Sequence, residues 1–146
     1  MGFWKRLFGR REPVLQPQRL DYLNEALALE RQGDYEAALT SYRLALRDQP
    51  ASPRVLQNMA IAFTKTNQHE DAIRHYRRAL ELDPDLAGAH YGLAFLLIRR
   101  GESDTAATHL RAFLERAPRG PDAEQWTEHA RSALAELTGE RGTATP

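Results

Sequence analysis

A chain of 146 residues, 42% hydrophobic and 27% charged, has the size and make-up of one ordinary globular domain. Twenty basic and twenty acidic residues cancel, which removes the whole-chain field that draws in nucleic acid or an anionic substrate. The absence of cysteine excludes disulfides, thiol catalysis and thiolate metal sites. No apolar run reaches the length of about eighteen residues needed to span a bilayer. The start lacks the apolar stretch and small-residue cleavage site of a secretory signal, so a cytoplasmic protein is expected.

The zero net charge hides an asymmetry. Up to residue 19, Lys5, Arg6, Arg10, Arg11 and Arg19 stand against Glu12 alone, so the opening carries +4 and the remainder −4. If residues 1–11 are helical, Phe3, Trp4, Leu7 and Phe8 share one face, flanked by Lys5, Arg6, Arg10 and Arg11. That pattern suits an anchor in a membrane interface or a hook into a partner protein. Burying such side chains returns at most about 1.5–3 kcal/mol each, and each basic residue adds about 1 kcal/mol on anionic lipid. An isolated helix of about ten residues must still be ordered on docking, so attachment is expected to be reversible. Gly2 is no myristoylation site, because Arg6 stands where that motif needs serine or threonine. Pro13 and Pro17 break any helix, and residues 12–18 read as a linker.

From residue 19 the sequence repeats itself. Pro50, Pro84 and Pro118 lie 34 residues apart, as do Ala38, Ala72 and Ala106, and Leu46, Leu80 and Leu114. A fixed period of this length, closed by proline, marks stacked helix–turn–helix units, here about 19–52, 53–86 and 87–120. In the second unit Leu56, Met59, Ala60 and Phe63 fall on one helical face. Ala72, Ile73, Tyr76, Ala79 and Leu80 fall on the face of the next helix, and neither helix buries its stripe alone. Residues 121–137 read as a closing helix carrying Trp126, Ala130, Ala133, Leu134 and Leu137 at helical spacing, as the end of a stacked array requires. Trp126 is therefore expected in the core. The last residues, 138–146, hold almost nothing that offsets the entropy of ordering and read as a flexible tail.

Small residues recur at Ala26, Ala60 and Ala94 in the first helices and at Ala38, Ala72 and Ala106 in the second. Tyr42 and Tyr76 are one period apart, and Gly33, Asn67 and Gly101 mark the turns between helices. On these residues the chain resembles the tetratricopeptide repeat family over about residues 19–137. The third unit departs most, with Leu110 in place of the aromatic, Ser103 in place of a tyrosine and Phe113 in place of an alanine. The resemblance implies an all-α fold, a right-handed superhelical solenoid of three 34-residue helix–turn–helix repeats plus a C-terminal closing helix.

The resemblance also implies that the first helix of each unit lines a concave groove. Leu23, Asn24, Leu27 and Arg31 would face it from the first unit, and Arg54, Gln57, Asn58, Ile61 and Lys65 from the second. The third would supply Gly88, Tyr91, Gly92, Phe95, Ile98 and Arg99. Leu23, Leu27, Ile61, Tyr91, Phe95 and Ile98 give an apolar floor, and Arg31, Arg54, Lys65 and Arg99 a basic rim. An amphipathic or acidic peptide or helix of another protein fits that character. Members of the family that clamp the C-terminal carboxylate of heat-shock chaperones carry lysine, asparagine and arginine where this chain has Leu23, Gly88, Leu27 and Gly92. Only Asn58 matches, and an apolar groove does not compensate a buried carboxylate.

No catalytic set emerges. His69, His75, His90, His109 and His129 show no metal-ligand spacing, and no glycine-rich phosphate loop follows a strand. Gly88 and Gly92 fall within a predicted helix and read as close helix contacts. The expectation is a non-enzymatic protein–protein interaction scaffold, an assembly factor or accessory subunit with no cofactor, metal or nucleic acid. Residues 1–11 would tether it to a larger complex or to an anionic membrane surface on the cytoplasmic side. The alternative is a self-associating structural protomer, with Phe3, Trp4, Leu7 and Phe8 of one copy in the groove of the next.

Deleting residues 1–11 is expected to leave the melting temperature unchanged, whereas Trp4→Glu abolishes attachment by placing an unpaired charge in the apolar face. Vesicle co-sedimentation separates the readings. Salt-sensitive binding that needs anionic lipid marks a membrane anchor, and no vesicle binding together with loss of a protein partner marks a hook. A truncated protein that keeps both its location and its partners removes the segment from the account.

Overall fold

The computed structural model describes residues 21–139. The anchor residues Phe3, Trp4, Lys5, Arg6, Leu7, Phe8, Arg10 and Arg11, the linker and most of the C-terminal tail lie outside the described residues. Among the described residues there are seven helices and no strand. The first pair is α1 (Tyr22–Arg31) with α2 (Tyr35–Asp48), and the second is α3 (Pro53–Lys65) with α4 (His69–Leu82). The third is α5 (Ala87–Arg99) with α6 (Ser103–Glu115), and α7 (Pro121–Thr138) closes the array. Each helix packs on the next in order, and α3 also touches α5, which makes the molecule an all-α repeat solenoid.

Local chemistry sets the helix ends. The side chains of Asp21, Asp34 and Ser52 accept from the backbone N–H of Asn24, Ala37 and Val55 at 3.1, 3.1 and 3.3 Å, which satisfies one orphan donor at each N-terminus. Pro53 and Pro121 occupy first-turn positions that have no N–H to lose. Inside all three pairs the turn has the same closure. Gly33, Asn67 and Gly101 sit at φ of 79°, 60° and 80°, and the next residue donates back to the carbonyl five positions earlier. Those bonds are Asp34 to Leu29 at 2.9 Å, Gln68 to Phe63 at 2.8 Å and Glu102 to Leu97 at 2.9 Å. The left-handed residue ends one helix and starts the reversal that packs it on its partner.

The recurring alanines are the contact surfaces. Ala26, Ala38, Ala60, Ala72, Ala94 and Ala106 have 0% exposure, consistent with helices that approach as closely as a methyl group permits. Tyr42 and Tyr76 fill the interior beside them, and the Tyr42 hydroxyl donates to Glu30 Oε2 at 2.7 Å. Burial, followed by that carboxylate, raises the Tyr42 pKa, so the phenol stays protonated. The third unit redistributes the same volume: Leu110 is fully buried where the others have tyrosine, and Phe113 fills the place of Ala45 and Ala79. A second cluster, with Ala94, Leu110, Phe113 and Ala130 at its centre, joins α7 to this unit through Ala133, Leu134 and Leu137.

One expectation is corrected. Trp126 is not in the core; it is 49% exposed. Helical spacing places it on the same stripe as Ala130 and Ala133, but in α7 the fully enclosed residue of that stripe is Ala130. Trp126 stands edge-on to Tyr91 of α5 instead.

Ala72→Leu is expected to overpack the second pair and lose about 1–3 kcal/mol, whereas Gln68→Ala at the turn changes stability by less than about 0.5 kcal/mol. Thermal melts of the two variants check the register; equal melting temperatures would contradict it.

Candidate protein-binding groove

The first helices of the second and third pairs, α3 and α5, form one wall-and-floor unit with the start of α7 at its end. Between them lies an open cavity of about 630 Å³. Gln57, Ile61 and Lys65 of α3 and Tyr91, Phe95 and Arg99 of α5 line it, so six residues of the expected groove come together. Ile98 lies beside it in a smaller cleft of about 170 Å³ between α5 and α7, with Phe95, His129 and Leu137. Leu23 lies elsewhere, in a cavity of about 450 Å³ formed with Asp21, Tyr22, Ala45, Asp48, Gln49 and Val55. Leu27 is half-buried against the core. Asn24, Arg31 and Arg54 are exposed and Asn58 half-buried, all outside the 630 Å³ cavity.

Rings from other elements complete the cavity. Tyr76 of α4, Phe113 of α6 and Trp126 of α7 line it, with His69, Gly88, Gly92 and Pro118. The resemblance places Gly88 and Gly92 in the groove; Tyr76, Phe113, Trp126, His69 and Pro118 are not assigned to it by sequence reasoning, and the one signal for them is Phe113, which breaks a position that is alanine in both other units. Tyr91 is the hub. Its ring centroid is 4.8 Å from Phe95, 5.0 Å from Phe113 and 5.5 Å from Trp126, the last edge-on, and its hydroxyl lies 2.6 Å from His129 Nδ1. Phe95 stacks on the His129 ring at 4.5 Å. These contacts tie α7 to α5 and set the angle of the cavity's far wall.

Two glycines shape the floor. A Cβ at Gly92 would collide with the Tyr76 ring, and one at Gly88 would come within 2.7 Å of Gln57 Nε2. Their absence lets the phenol ring and the carboxamide lie directly on the α5 backbone. Burial raises the Tyr91 pKa and pushes that of Tyr76 up to about 12, so both phenols are neutral O–H groups at physiological pH. Gln57 Oε1 and His69 Nδ1 are buried with no hydrogen-bond partner among the described residues.

The charges sit at one mouth. Lys65 and Arg99 occupy the last turns of α3 and α5, where a cation offsets the helix dipole. Both are exposed, and neither has a carboxylate partner among the described residues. Arg100, by contrast, is held by Glu70 at 3.3 Å and Glu102 at 2.8 Å. Among the described residues no group of three or more histidine, aspartate and glutamate side chains is placed to hold a metal ion, and no helix is long and apolar enough to cross a membrane.

Comparison with known proteins bears on this arrangement. A family model described as TPR repeat matches residues 62–101, and two described as tetratricopeptide repeat match residues 21–62 and 89–119. No protein of curated function matches the sequence. Among solved structures the fold is similar to the Yersinia enterocolitica type III secretion chaperone SycD in complex with a peptide of the translocator YopD. That match has a TM-score of 0.74 at 18% identity and covers 82% of this chain and 92% of that one. The Aspergillus fumigatus Sgt2 TPR domain matches with a TM-score of 0.67 at 26% identity over 86% and 83% of the two chains. The second TPR domain of human RPAP3, in complex with the HSP70 peptide SGPTIEEVD, matches with a TM-score of 0.67 at 19% identity over 80% and 92%.

Gly92→Ala is expected to lower stability by about 1–3 kcal/mol through collision with Tyr76. Glycine-to-alanine inside a helix ordinarily gains about 0.5–1 kcal/mol. A Gly92→Ala protein that melts at or above the parent would therefore contradict the close approach.

Proposed function

Since the chain belongs to the tetratricopeptide repeat family, we propose that it is a non-enzymatic interaction scaffold that holds an amphipathic, acidic segment of a partner protein in the groove between α3, α5 and α7. Its work is that of an assembly factor or accessory subunit. The observation that carries this reading is the 630 Å³ cavity itself, walled by aromatic rings and edged by unpaired Lys65 and Arg99. A concave apolar site with a few convergent polar groups is the form that binding sites take. The similar structures of SycD and RPAP3 have peptides of other proteins bound. Residues 1–11, with four large apolar and four basic side chains, serve as the tether to a membrane surface or a larger complex.

The test is partner capture on the full chain, followed by affinity measurement with variants. Phe95→Ala is expected to weaken binding by about 2 kcal/mol or more, roughly thirtyfold in Kd, with circular dichroism unchanged. Unchanged affinity in a folded Phe95→Ala protein would remove the groove from the reading.

A further inference from the structure

We infer that the third repeat and the closing helix build an anchor subsite, in which one large apolar side chain of an acidic partner segment enters the cavity beside Trp126, Tyr91 and Phe95 while carboxylates of the same segment lie on Lys65 and Arg99. This rests on the proposed groove function and specifies its ligand.

The first argument is convergence. Gly88 replaces Arg54 of the preceding unit, Gly92 replaces Asn24 and Asn58, and Phe113 replaces Ala45 and Ala79. All three of these departures line the one cavity. Packing has a part in these exchanges, Gly92 admitting the Tyr76 ring and Phe113 restoring the volume lost at Leu110, and all three act at the same cavity. Together they remove polar side chains from the floor and bring rings to the walls. The remaining ring, Trp126, is about half exposed, and a large apolar side chain left open at the edge of an apolar cavity marks a contact surface.

Charge fixes the partner's sign. Arg31, Lys65 and Arg99 recur at the same place in each unit, 34 residues apart. All three are exposed without a carboxylate partner among the described residues. Two of them border the cavity. Close cations without a counter-ion favour an acidic ligand, and they oppose an opening segment that carries +4, so the chain's own residues 1–19 are the wrong occupant.

The experiment uses the full chain carrying Trp4→Phe, which leaves Trp126 as its sole tryptophan. The probes are a panel of acidic peptides, each with one Phe or Leu, the same peptides with that residue changed to Ser, the same with every Asp and Glu changed to Asn and Gln, and a peptide of residues 1–11. Calorimetry measures affinity and Trp126 emission reports the site. An acidic Phe or Leu peptide is expected to shift the emission to the blue saturably. Affinity should fall about tenfold with Ser and about tenfold in Lys65→Glu/Arg99→Glu, and Trp126→Ala should bind no better than the Ser peptide while keeping its melting temperature. Calorimetric binding with Trp126 unmoved, or equal affinity without the Phe, overturns the subsite and leaves the groove reading standing. An entire panel that fails to bind overturns the subsite too, and the groove reading is then judged separately by the Phe95→Ala result. Tightest binding by the residue 1–11 peptide overturns the acidic partner in favour of a second copy of this chain.

Discussion

Close helix approach at small residues is the constraint on which the molecule depends. Six alanines, one in each helix of the three pairs, carry no exposed surface. Helices that meet at a methyl group have little freedom in the distance and angle between them. That geometry in turn demands a reversal of only a few residues with one left-handed position, which Gly33, Asn67 and Gly101 provide. Once pairs are identical in shape they stack regularly, and the groove along the first helices is a consequence of that stacking.

The third pair keeps the alanines and changes what surrounds them. Tyrosine at the interior position becomes Leu110, and the lost ring volume reappears one helical turn later as Phe113. The array therefore keeps a filled core while a ring moves to the groove wall. The closing helix has a double role. Its Ala130, Ala133, Leu134 and Leu137 cover the end of the core, and its Trp126 and His129 meet Tyr91 and Phe95 at the groove. One helix thus ends the solenoid and walls the cavity.

Much of the fold is legible in the sequence because its cause is periodic. The 34-residue interval, the buried alanines and the left-handed turn positions are properties of every unit, so subtraction reveals them, and even Asn67 is recognisable as a residue that tolerates positive φ. The cavity is less legible because it lies where the period breaks. Repeat logic treats unit 1 like unit 3 and so assigns Leu23 and Leu27 to the groove, while their burial depends on neighbours that differ from one unit to the next. Trp126 shows the limit most clearly. Its helical stripe is plain in the sequence, yet whether that stripe meets α6 or overhangs the groove depends on where Gly120 and Pro121 start the helix relative to the third pair, which periodicity does not encode.

Chemical-shift mapping tests the central claim most directly, that units 2 and 3 and the closing helix together make the binding end of the groove. With an acidic Phe-bearing peptide added to labelled full-length protein, the account predicts shifts at the Trp126 indole and at the amides of Gly88, Gly92, Lys65 and Arg99, with Leu23 and Leu27 unmoved. Shifts centred on Leu23 and Leu27, with the Trp126 indole unchanged, would contradict it.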